Sequence, residues 1–350
     1  MNIKEKNKSQ SEKCKTKYLD TSNNDLFNIN AKFPKCINID ICDICNYDCV
    51  FCPSSKFIEK GGFMDGKLVV RLIGEAFDLG AREICFHLSG EPLINEKLED
   101  YIKYAKEVGY TYIFMTTNGF LANIERMKKI IDAGMNSIRF SLNSLEKKYK
   151  TIHGAGDFNK VIENINDLIN YKKESNKEFI MGVSIVKTKY TNDDCEILKE
   201  QFKEQVDDIT IFEVKDEAGQ CELNRELYLD SEDGIGVVNK IPCPIPFNSA
   251  YVTREGFLTI CCADKKNYLA VANLNECTLE EAWNCDEMMS FREKMLNGKI
   301  KGTLCYNCIY GKEEEVFPIV DKYSSNYISC DYNKDRLERI EQLKVFDKIK

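Results

Sequence analysis

The sequence predicts an α/β fold: a partial (β/α)6 barrel with parallel strands, followed by a small cysteine-rich α+β module. Strand-like and helix-like runs alternate about six times over residues 36–218, which is typical of parallel strands joined by crossover helices. Six such units are too few to close an eight-stranded barrel, so we expect a partial barrel or an open sheet. After residue 218 the alternation weakens and cysteines and turn residues become frequent, which predicts a second, smaller module.

The first strand is predicted at 36–41, and the first helix at 65–79, where the apolar residues have helical spacing and the run stops at Gly80. The other strands are predicted at 83–88, 110–117, 137–142, 179–186 and 208–214. The other helices are predicted at 95–108, 123–133, 158–171 and 193–205. In sheets of this kind chemistry gathers at the carboxyl ends of the strands, so the loops that follow them carry the candidate site.

The domain boundaries follow from composition and periodicity. Residues 1–35 are rich in Lys, Asn and Ser and predict a disordered N-terminal extension. Residues 36–218 form the predicted barrel and residues 219–320 the second module. Residues 321–350 predict a tail with one amphipathic helix, whose apolar side chains recur three apart: Leu337, Ile340, Leu343 and Phe346.

Charge and composition exclude several classes of protein. The net charge of −8 argues against a nucleic-acid partner, because such partners need a basic face. No apolar run approaches the ~20 residues that span a bilayer, and the polar N-terminus lacks the apolar region of a secretory signal. We therefore expect a cytoplasmic protein without a membrane partner. In that reducing compartment the 17 cysteines indicate metal sites more than disulfides.

Three cysteines follow the first predicted strand with the spacing C-x3-C-x2-C: Cys45, Cys49 and Cys52. Three thiolates on one short loop can hold one iron–sulfur cluster, and a 4Fe–4S cluster with three cysteine ligands leaves one iron open. The alternative is a closed zinc site with Cys42 as fourth ligand. The position of the triad, on the loop after the first strand of a βα series, favours the cluster.

With the aromatic Phe51 just before its third cysteine, the triad resembles the signature of radical S-adenosylmethionine (radical SAM) enzymes, and the resemblance extends over residues 36–215. It implies that the cluster binds SAM and that Phe51 presents its backbone to the adenine. Ser89-Gly90-Glu91-Pro92 matches the family's GGE motif, with Ser89 in place of the first glycine. By this resemblance the motif holds the methionine amino group of SAM.

The same resemblance assigns further positions around SAM. Asn118 and Ser141 match polar positions near the ribose and methionine ends. The family often has an arginine after the fourth strand that pairs with the SAM carboxylate. At the matching stretch this chain has His153, which we expect in that place.

A second cysteine set has the spacing C-x17-C-x43-C-x2-C: Cys243, Cys261, Cys305 and Cys308. The surrounding residues resemble the SPASM or twitch extension, which implies one auxiliary 4Fe–4S cluster closed by four cysteines. The alternative is again zinc, although a zinc ribbon usually has two C-x2-C pairs. Cys262 adjoins the expected ligand Cys261, and neighbouring side chains of an extended strand point to opposite faces, so we expect Cys262 outside the ligand set.

The resemblance implies a radical SAM oxidoreductase or epimerase that cleaves SAM reductively to a 5′-deoxyadenosyl radical, with an electron donor such as flavodoxin or ferredoxin. Only 44 residues precede Cys45, which leaves no room for the peptide-recognition domain of many peptide-modifying members. We therefore expect dehydrogenation or epimerisation of a small polar, sugar- or aminocyclitol-like substrate, with Cys262 as a candidate hydrogen donor. The alternatives are a peptide-modifying maturase and a non-catalytic zinc or iron–sulfur protein.

Overall fold

The computed structural model describes residues 26–53, 61–228, 242–324 and 334–348. Its strands are β1 (Cys36–Ile39), β2 (Glu83–Cys85), β3 (Tyr112–Thr117), β4 (Ser137–Ser141), β5 (Ile180–Lys187), β6 (Asp208–Glu213), β7 (Ala250–Val252), β8 (Phe257–Thr259) and β9 (Ala270–Asn273). Its helices are α1 (Gly66–Asp78), α2 (Leu98–Val108), α3 (Ile124–Ala133), α4 (Glu146–His153), α5 (Phe158–Glu174), α6 (Asn192–Phe202), α7 (Ile245–Asn248), α8 (Leu279–Trp283), α9 (Asp286–Leu296), α10 (Leu304–Tyr310) and α11 (Lys334–Lys348).

The nine strands form one open sheet in the order β6-β5-β4-β3-β2-β1-β7-β8-β9. Strands β1 to β6 are all parallel to their neighbours, and the sheet does not close. Crossover helices join these strands, as the alternation of the sequence predicts. The predicted parallel α/β fold is therefore confirmed, and its sheet is an open partial barrel.

The second module continues the main sheet. Strand β7 pairs in parallel with β1, with Ile37 opposite Ala250 and Ile39 opposite Val252. Strands β8 and β9 then extend the sheet by antiparallel pairing. Because β1 lies between β2 and β7, the carboxyl end of β1 faces both modules at once.

Helix α4 was not among the sequence predictions. Its residues EKKYKTIH carry few apolar side chains, so the helical pattern is weak in the sequence. The helix nevertheless buries Tyr149, Ile152 and His153, and it ends at Gly154, whose φ of +72° suits a residue without a side chain. His153 therefore lies at the end of a helix.

Part of the predicted N-terminal extension is packed against the second module. Residues 1–25 lie outside the described residues, but Phe27 contacts Phe247 edge to face and Phe33 contacts Trp283. The Trp283 indole N–H also donates to the carbonyl of Ala31, at 2.7 Å. Phe27, Ala31 and Phe33 thus contact the second module, although the sequence predicts disorder up to residue 35.

Most apolar side chains form one core between the sheet and the helices, and a smaller cluster lies beneath α11. Ile340 and Leu343 of α11 pack there with Val50 and Ile152. Of the predicted apolar stripe, Leu337 instead remains 38% exposed. Within the described residues, no helix is long and apolar enough to cross a membrane.

Candidate active site

The first cysteine set lies on the loop after β1, at the carboxyl edge of the sheet. The sulfurs of Cys45, Cys49 and Cys52 are close enough to interact electrostatically with one another. Burial raises the pKa of Cys45 to about 12 and raises that of Cys49 well above its usual value. In the described part of the chain, no group of three or more His, Cys, Asp or Glu side chains is arranged around a single metal ion.

The loop itself is shaped by short backbone contacts. The Cys52 N–H donates to the carbonyl of Cys49 at 3.0 Å, and the Tyr47 N–H donates to Cys45 Sγ at 3.4 Å. From outside the loop, the Asn118 amide lies 3.9 Å from Cys45 Sγ. The donor set fits a cluster of soft metal ions, because three neighbouring thiols on one loop are the ligands that iron–sulfur clusters use.

The loop after β2 fits closely against this cysteine loop at Gly90. A Cβ atom at Gly90 would lie 2.2 Å from the Cys42 carbonyl oxygen and 2.6 Å from that of Ile44. The Glu91 N–H donates to the same Ile44 carbonyl, at 2.9 Å. The two loops can touch in this way because residue 90 is a glycine.

The neighbouring Ser89 contacts Asp40, at the end of β1. The Ser89 hydroxyl and N–H both donate to the Asp40 carboxylate. Burial raises the pKa of Asp40 to about 7, and the hydrogen bonds from Ser89 oppose that rise. Ser89, which stands where the motif has its first glycine, thus forms hydrogen bonds with the carboxylate of a buried acid.

Glu91 is 2% exposed, and its carboxylate is already engaged by the protein. Thr117 Oγ1 donates to it at 2.7 Å, and the N–H groups of Asn118 and Leu93 donate at 2.7 and 3.0 Å. Burial raises the pKa of Glu91 against these hydrogen bonds. Glu91 therefore ties the ends of β2 and β3 together, a structural role that the sequence motif did not reveal.

Asn118 and Ser141 lie at the ends of neighbouring strands. Besides facing Cys45, the Asn118 amide donates to the Asn46 side chain at 2.7 Å. The Ser141 hydroxyl lies 3.4 Å from the hydroxyl of Ser184 on β5. The structure brings Asn118 to the cysteine loop and places Ser141 in the row of polar groups at the carboxyl edge.

His153 lies beside the cysteine loop and is fully buried. Its Nε2 accepts the Asn143 N–H at 3.4 Å, so the proton of the neutral ring lies on Nδ1, which is 3.5 Å from Cys49 Sγ. Burial lowers its pKa to about 3, and the ring stacks on Tyr149. A neutral, enclosed imidazole does not offer the positive charge expected of a carboxylate partner, so the geometry disfavours the expected role and makes His153 a support for Cys49.

The backbone of Phe51 has a partner that sequence reasoning missed. Asn224, from the junction after β6, donates its Nδ2 to the carbonyls of Phe51 at 2.9 Å and Lys215 at 2.6 Å. Asn224 is 1% exposed. Asn224 thus connects the junction between the two modules to the cysteine loop, at the residue before the third cysteine.

The second cysteine set lines one cavity. Cys243, Cys261, Cys305 and Cys308 line a cavity of about 60 Å³ together with apolar residues such as Ile260 and Leu304. Burial raises the pKa of Cys243 to about 11 and raises that of Cys305 well above its usual value. Four thiols around an apolar cavity fit an iron–sulfur cluster closed by four cysteines.

Cys262 does not line this cavity, but it lies nearer to Cys261 than the sequence predicts. The two cysteines follow the end of β8, in a turn rather than in an extended strand, so the alternation of faces does not apply. Their side chains form a hydrogen bond, which together with Lys265 lowers the pKa of Cys262. Cys262 thus stands between the cavity and Lys265.

Charged side chains lie between the two cysteine sites. Lys265 donates its amine to the Cys262 carbonyl at 2.9 Å, and its charge interacts with Glu217, Asp40 and Cys52. These groups come from the sheet edge, the cysteine loop, the junction and the second module. Lys265 therefore interacts with acidic groups and with cysteines of both sites.

The junction that presents Glu217 has an uncommon backbone. Glu217 and Ala218 have left-handed φ angles of 50° and 62°, which side-chain-bearing residues seldom adopt. Gln220 holds the turn, since its Nε2 donates to the carbonyls of Glu217 and Ala263, both at 2.8 Å. The turn fixes Glu217 relative to the second module.

Comparisons with known proteins agree with this architecture. Residues 39–198 match the sequence model of the radical SAM superfamily, and residues 243–309 match that of SPASM, an iron–sulfur cluster-binding domain. The chain is 30% identical over 137 residues to a probable GTP 3′,8-cyclase of Saccharolobus islandicus, which covers 38% of this chain and 43% of that protein. A probable GTP 3′,8-cyclase of Methanococcus maripaludis is 28% identical over 155 residues, 44% of this chain and 48% of that protein. The chain thus spans less than half the length of these curated relatives.

Solved structures share the fold. Streptococcus suis SuiB bound to its precursor peptide SuiA is similar with a TM-score of 0.60 and 16% identity, over 83% of this chain and 76% of that chain. The enzyme anSMEcpe with bound AdoMet has a TM-score of 0.58 and 15% identity, over 91% of this chain and 100% of that chain. BtrN in complex with AdoMet and 2-DOIA has a TM-score of 0.50 and 17% identity, over 80% of this chain and 93% of that chain. At these identities the likeness concerns the fold alone.

Proposed function

This chain belongs to the radical SAM superfamily and carries a SPASM domain at its C-terminus, and from that premise we propose that it dehydrogenates or epimerises a small polar, sugar- or aminocyclitol-like substrate. Membership implies SAM and two 4Fe–4S clusters as cofactors. We assign Cys45, Cys49 and Cys52 to the first cluster. The auxiliary cluster is assigned to the four cysteines of the cavity: Cys243, Cys261, Cys305 and Cys308.

Bound together, SAM and the first cluster supply a one-electron cleavage that yields a 5′-deoxyadenosyl radical able to abstract hydrogen from carbon. The electron comes from a donor such as flavodoxin or ferredoxin. We assign the surroundings of SAM to the loops at the sheet edge, through Ser89, Gly90, Glu91, Asn118 and Ser141, with the backbone of Phe51. The role of the protein is to hold these loops in contact and to keep water from the substrate.

The observation that carries the substrate class is the group of charges around Lys265. Glu217 and Lys265 are both half-buried, and their opposite charges interact. Opposite charges beside hydrogen-bonding groups suit hydroxyl and amino groups of a small polar substrate. BtrN, a structure of similar fold, was solved with AdoMet and 2-DOIA, which supports a small molecule.

The two reaction outcomes place different demands on these residues. Dehydrogenation removes a hydrogen atom, a proton and one electron; the carboxylates of Glu217 and Asp40 are candidates to take the proton, and the auxiliary cluster to take the electron. Epimerisation instead requires a hydrogen atom returned from the other side, for which Cys262 is the candidate donor. The sulfur radical left on Cys262 is then reduced by an electron from the reduced electron donor and takes up a proton from solvent.

The test uses anaerobically reconstituted protein with dithionite, SAM and a panel of aminocyclitols, sugars, GTP and peptides. A true substrate raises the release of 5′-deoxyadenosine above the substrate-free rate and, when deuterated at carbon, transfers deuterium into it. A product lighter by two hydrogens indicates dehydrogenation, whereas an isomer carrying one solvent deuterium in D2O indicates epimerisation. Colourless protein holding zinc and forming no 5′-deoxyadenosine would overturn the proposal.

The contribution of Lys265 and Glu217 to substrate binding is tested with the variants Lys265→Gln and Glu217→Gln. We expect the KM for the polar substrate to rise while substrate-free SAM cleavage is retained, because neither residue is assigned to SAM. The control is Lys301→Gln, which removes one charge from the same module at a side chain that is 70% exposed. An unchanged KM in both variants would contradict a role in substrate binding.

A peptide substrate is the second candidate. SuiB, whose fold resembles this one, binds a precursor peptide. In the same assay, deuterium transfer from a labelled peptide and none from the small molecules would favour this candidate.

A further inference from the structure

Two arginines of the C-terminal helix α11 reach the first cysteine loop from outside the sheet. Arg336 is 1% exposed and Arg339 is 6% exposed, although Lys334, Asp335, Glu338 and Glu341 of the same helix are exposed. Arginine is seldom buried unless it has partners. Three of the five residues that these side chains bind lie in the segment that contains the cysteines: Asp48, Val50 and Cys52.

Arg336 binds the backbone on both sides of Phe51. Its guanidinium donates to the carbonyl of Val50 and, at 3.3 Å, to that of Cys52. Among the described residues no carboxylate forms an ion pair with it. A buried cation without a neighbouring anion is unfavourable for the apoprotein, and it becomes favourable when an anionic group lies on the other side of the loop.

Arg339 binds the residue before the second cysteine. It donates to the Asp48 carbonyl and to the Asp48 carboxylate, both at 2.7 Å. It also forms an ion pair with Asp335 on its own helix. Its charge lies close enough to Cys49 to act on the sulfur.

The fold leaves room for Arg339 at Gly154. A Cβ atom there would lie 2.7 Å from Arg339 Nη1 and 2.4 Å from the Asp48 carbonyl oxygen. Helix α4, whose end carries Gly154, also accepts hydrogen bonds from the cysteine loop through the carbonyls of Ile152 and His153. Helices α4 and α11 therefore enclose the loop together, while Ile340 and Leu343 pack on Val50.

We propose that Arg336 and Arg339 are positioning residues for the cluster at Cys45, Cys49 and Cys52: they fix the loop through its carbonyls, and their charges raise the reduction potential of the cluster. The inference rests on the proposed cluster at these cysteines. One-electron reduction adds a negative charge to the cluster, and nearby buried cations stabilise the more negative state. The C-terminal helix thereby favours acceptance of the electron on which SAM cleavage depends.

The test compares the parent protein with Arg339→Gln, Arg339→Lys, Arg336→Gln and Arg336→Lys. The control is Lys334→Gln, which removes one charge from the same helix at a side chain that is 91% exposed. Iron content and circular dichroism establish loading and folding. The potential of the first cluster is read by redox titration of the electron paramagnetic resonance signal that changes when SAM is added.

We expect each Gln variant to lower the ratio of reduced to oxidised first cluster about tenfold at a fixed poise, which corresponds to ~59 mV for a one-electron couple. The Lys variants keep the charge and are expected to keep most of the potential. The control should match the parent. Loss of the first cluster alone from a folded Gln variant, with its iron falling to about half, would support the positioning role as well.

Equal potentials and equal iron in the parent and in all four arginine variants would overturn the inference. If a Gln variant fails to fold, Met replaces it as the uncharged side chain at that position: a lowered potential or loss of the first cluster there supports the inference, and a parent-like potential and loading contradict it. Failure of the proposed function is recognised separately. In that case the parent itself shows no signal that responds to SAM.

Discussion

At the first cysteine site, three thiols lie within eight consecutive residues, and neighbouring elements reach their loop with polar groups such as Asn118 and Arg339. At the second site, four thiols come from three separate segments and meet in a cavity lined by apolar side chains. Three thiolates leave one iron of a 4Fe–4S cluster open, whereas four close it. The polar surroundings of the first site suit an exchangeable ligand, and the apolar surroundings of the second suit a permanent one.

The two sites also differ in how they are held. The first depends on contacts from distant parts of the chain, because Gly90, Asn224 and helix α11 each touch its loop. The second is assembled within its own module: Cys243 precedes α7, Cys261 follows β8, and Cys305 and Cys308 lie on α10. Damage at one site is therefore expected to leave the other intact, and the predictions below test that independence.

The largest effect is expected from replacing Cys45, Cys49 or Cys52 with Ala. Each change removes one of the three proposed ligands of the first cluster, so we expect 5′-deoxyadenosine formation to fall to the background. The auxiliary cluster should remain, because its ligands lie in the other module. The measurements are the assay of 5′-deoxyadenosine and the iron content, and a triad variant that cleaves SAM at the parent rate would refute the assignment.

The next effect compares two adjacent cysteines at the second site. Cys261 lines the cavity and Cys262 does not, so Cys261→Ala should lose about four of about eight iron atoms and Cys262→Ala none. Because the two side chains share a hydrogen bond, the spectrum of the auxiliary cluster should shift in Cys262→Ala. The reverse pattern of iron loss would make Cys262 the ligand.

Cys262→Ala also separates the two reactions. If this variant keeps its iron and still makes 5′-deoxyadenosine but yields no product, Cys262 is the hydrogen donor of an epimerisation. Unchanged product formation would favour dehydrogenation.

The distance along the chain between contacting residues also explains which parts of the two sites the sequence predicts. The triad could be predicted because its residues are contiguous, and the strand-end loops because strand and helix alternate regularly. Arg336 and Arg339 could not, since the residues they bind lie nearly 300 positions earlier and a charged residue on an amphipathic helix is ordinarily on its solvated face. Lys265 and Glu217 were missed for a related reason: they lie in separate segments, which meet through contacts such as those of Gln220 with Glu217 and Ala263.

A moderate effect is expected at the contact between the loops of the first site. Gly90→Ala introduces a methyl group that would lie 2.2 Å from the Cys42 carbonyl oxygen. Such overpacking lowers the free energy of unfolding by about 1–3 kcal/mol. SAM affinity should fall as well, because the loops separate. Gly62→Ala is the matched control, since a Cβ there meets nothing within 4 Å. Equal unfolding free energies and SAM affinities in the two variants would show that the loops are not in close contact.

The last effect concerns the pH dependence of stability and arises from Asp40, the buried acid beneath the first site. Burial raises its pKa to about 7 in the folded protein from the ordinary value of 3.8, so between these values the folded state binds more protons than the unfolded state. By linkage, the contribution of Asp40 to stability is fully present below about pH 4 and declines as pH rises to about 7, by at most ~1.4 kcal/mol per pH unit. Asn stays neutral and can still accept the hydrogen bonds of Ser89, so Asp40→Asn should remove this decline. The check is the difference in unfolding free energy between parent and variant, measured with urea at pH 5 and at pH 8. The other titrating groups are common to both proteins and cancel in this difference. A difference that does not change with pH would show that Asp40 is ionised throughout.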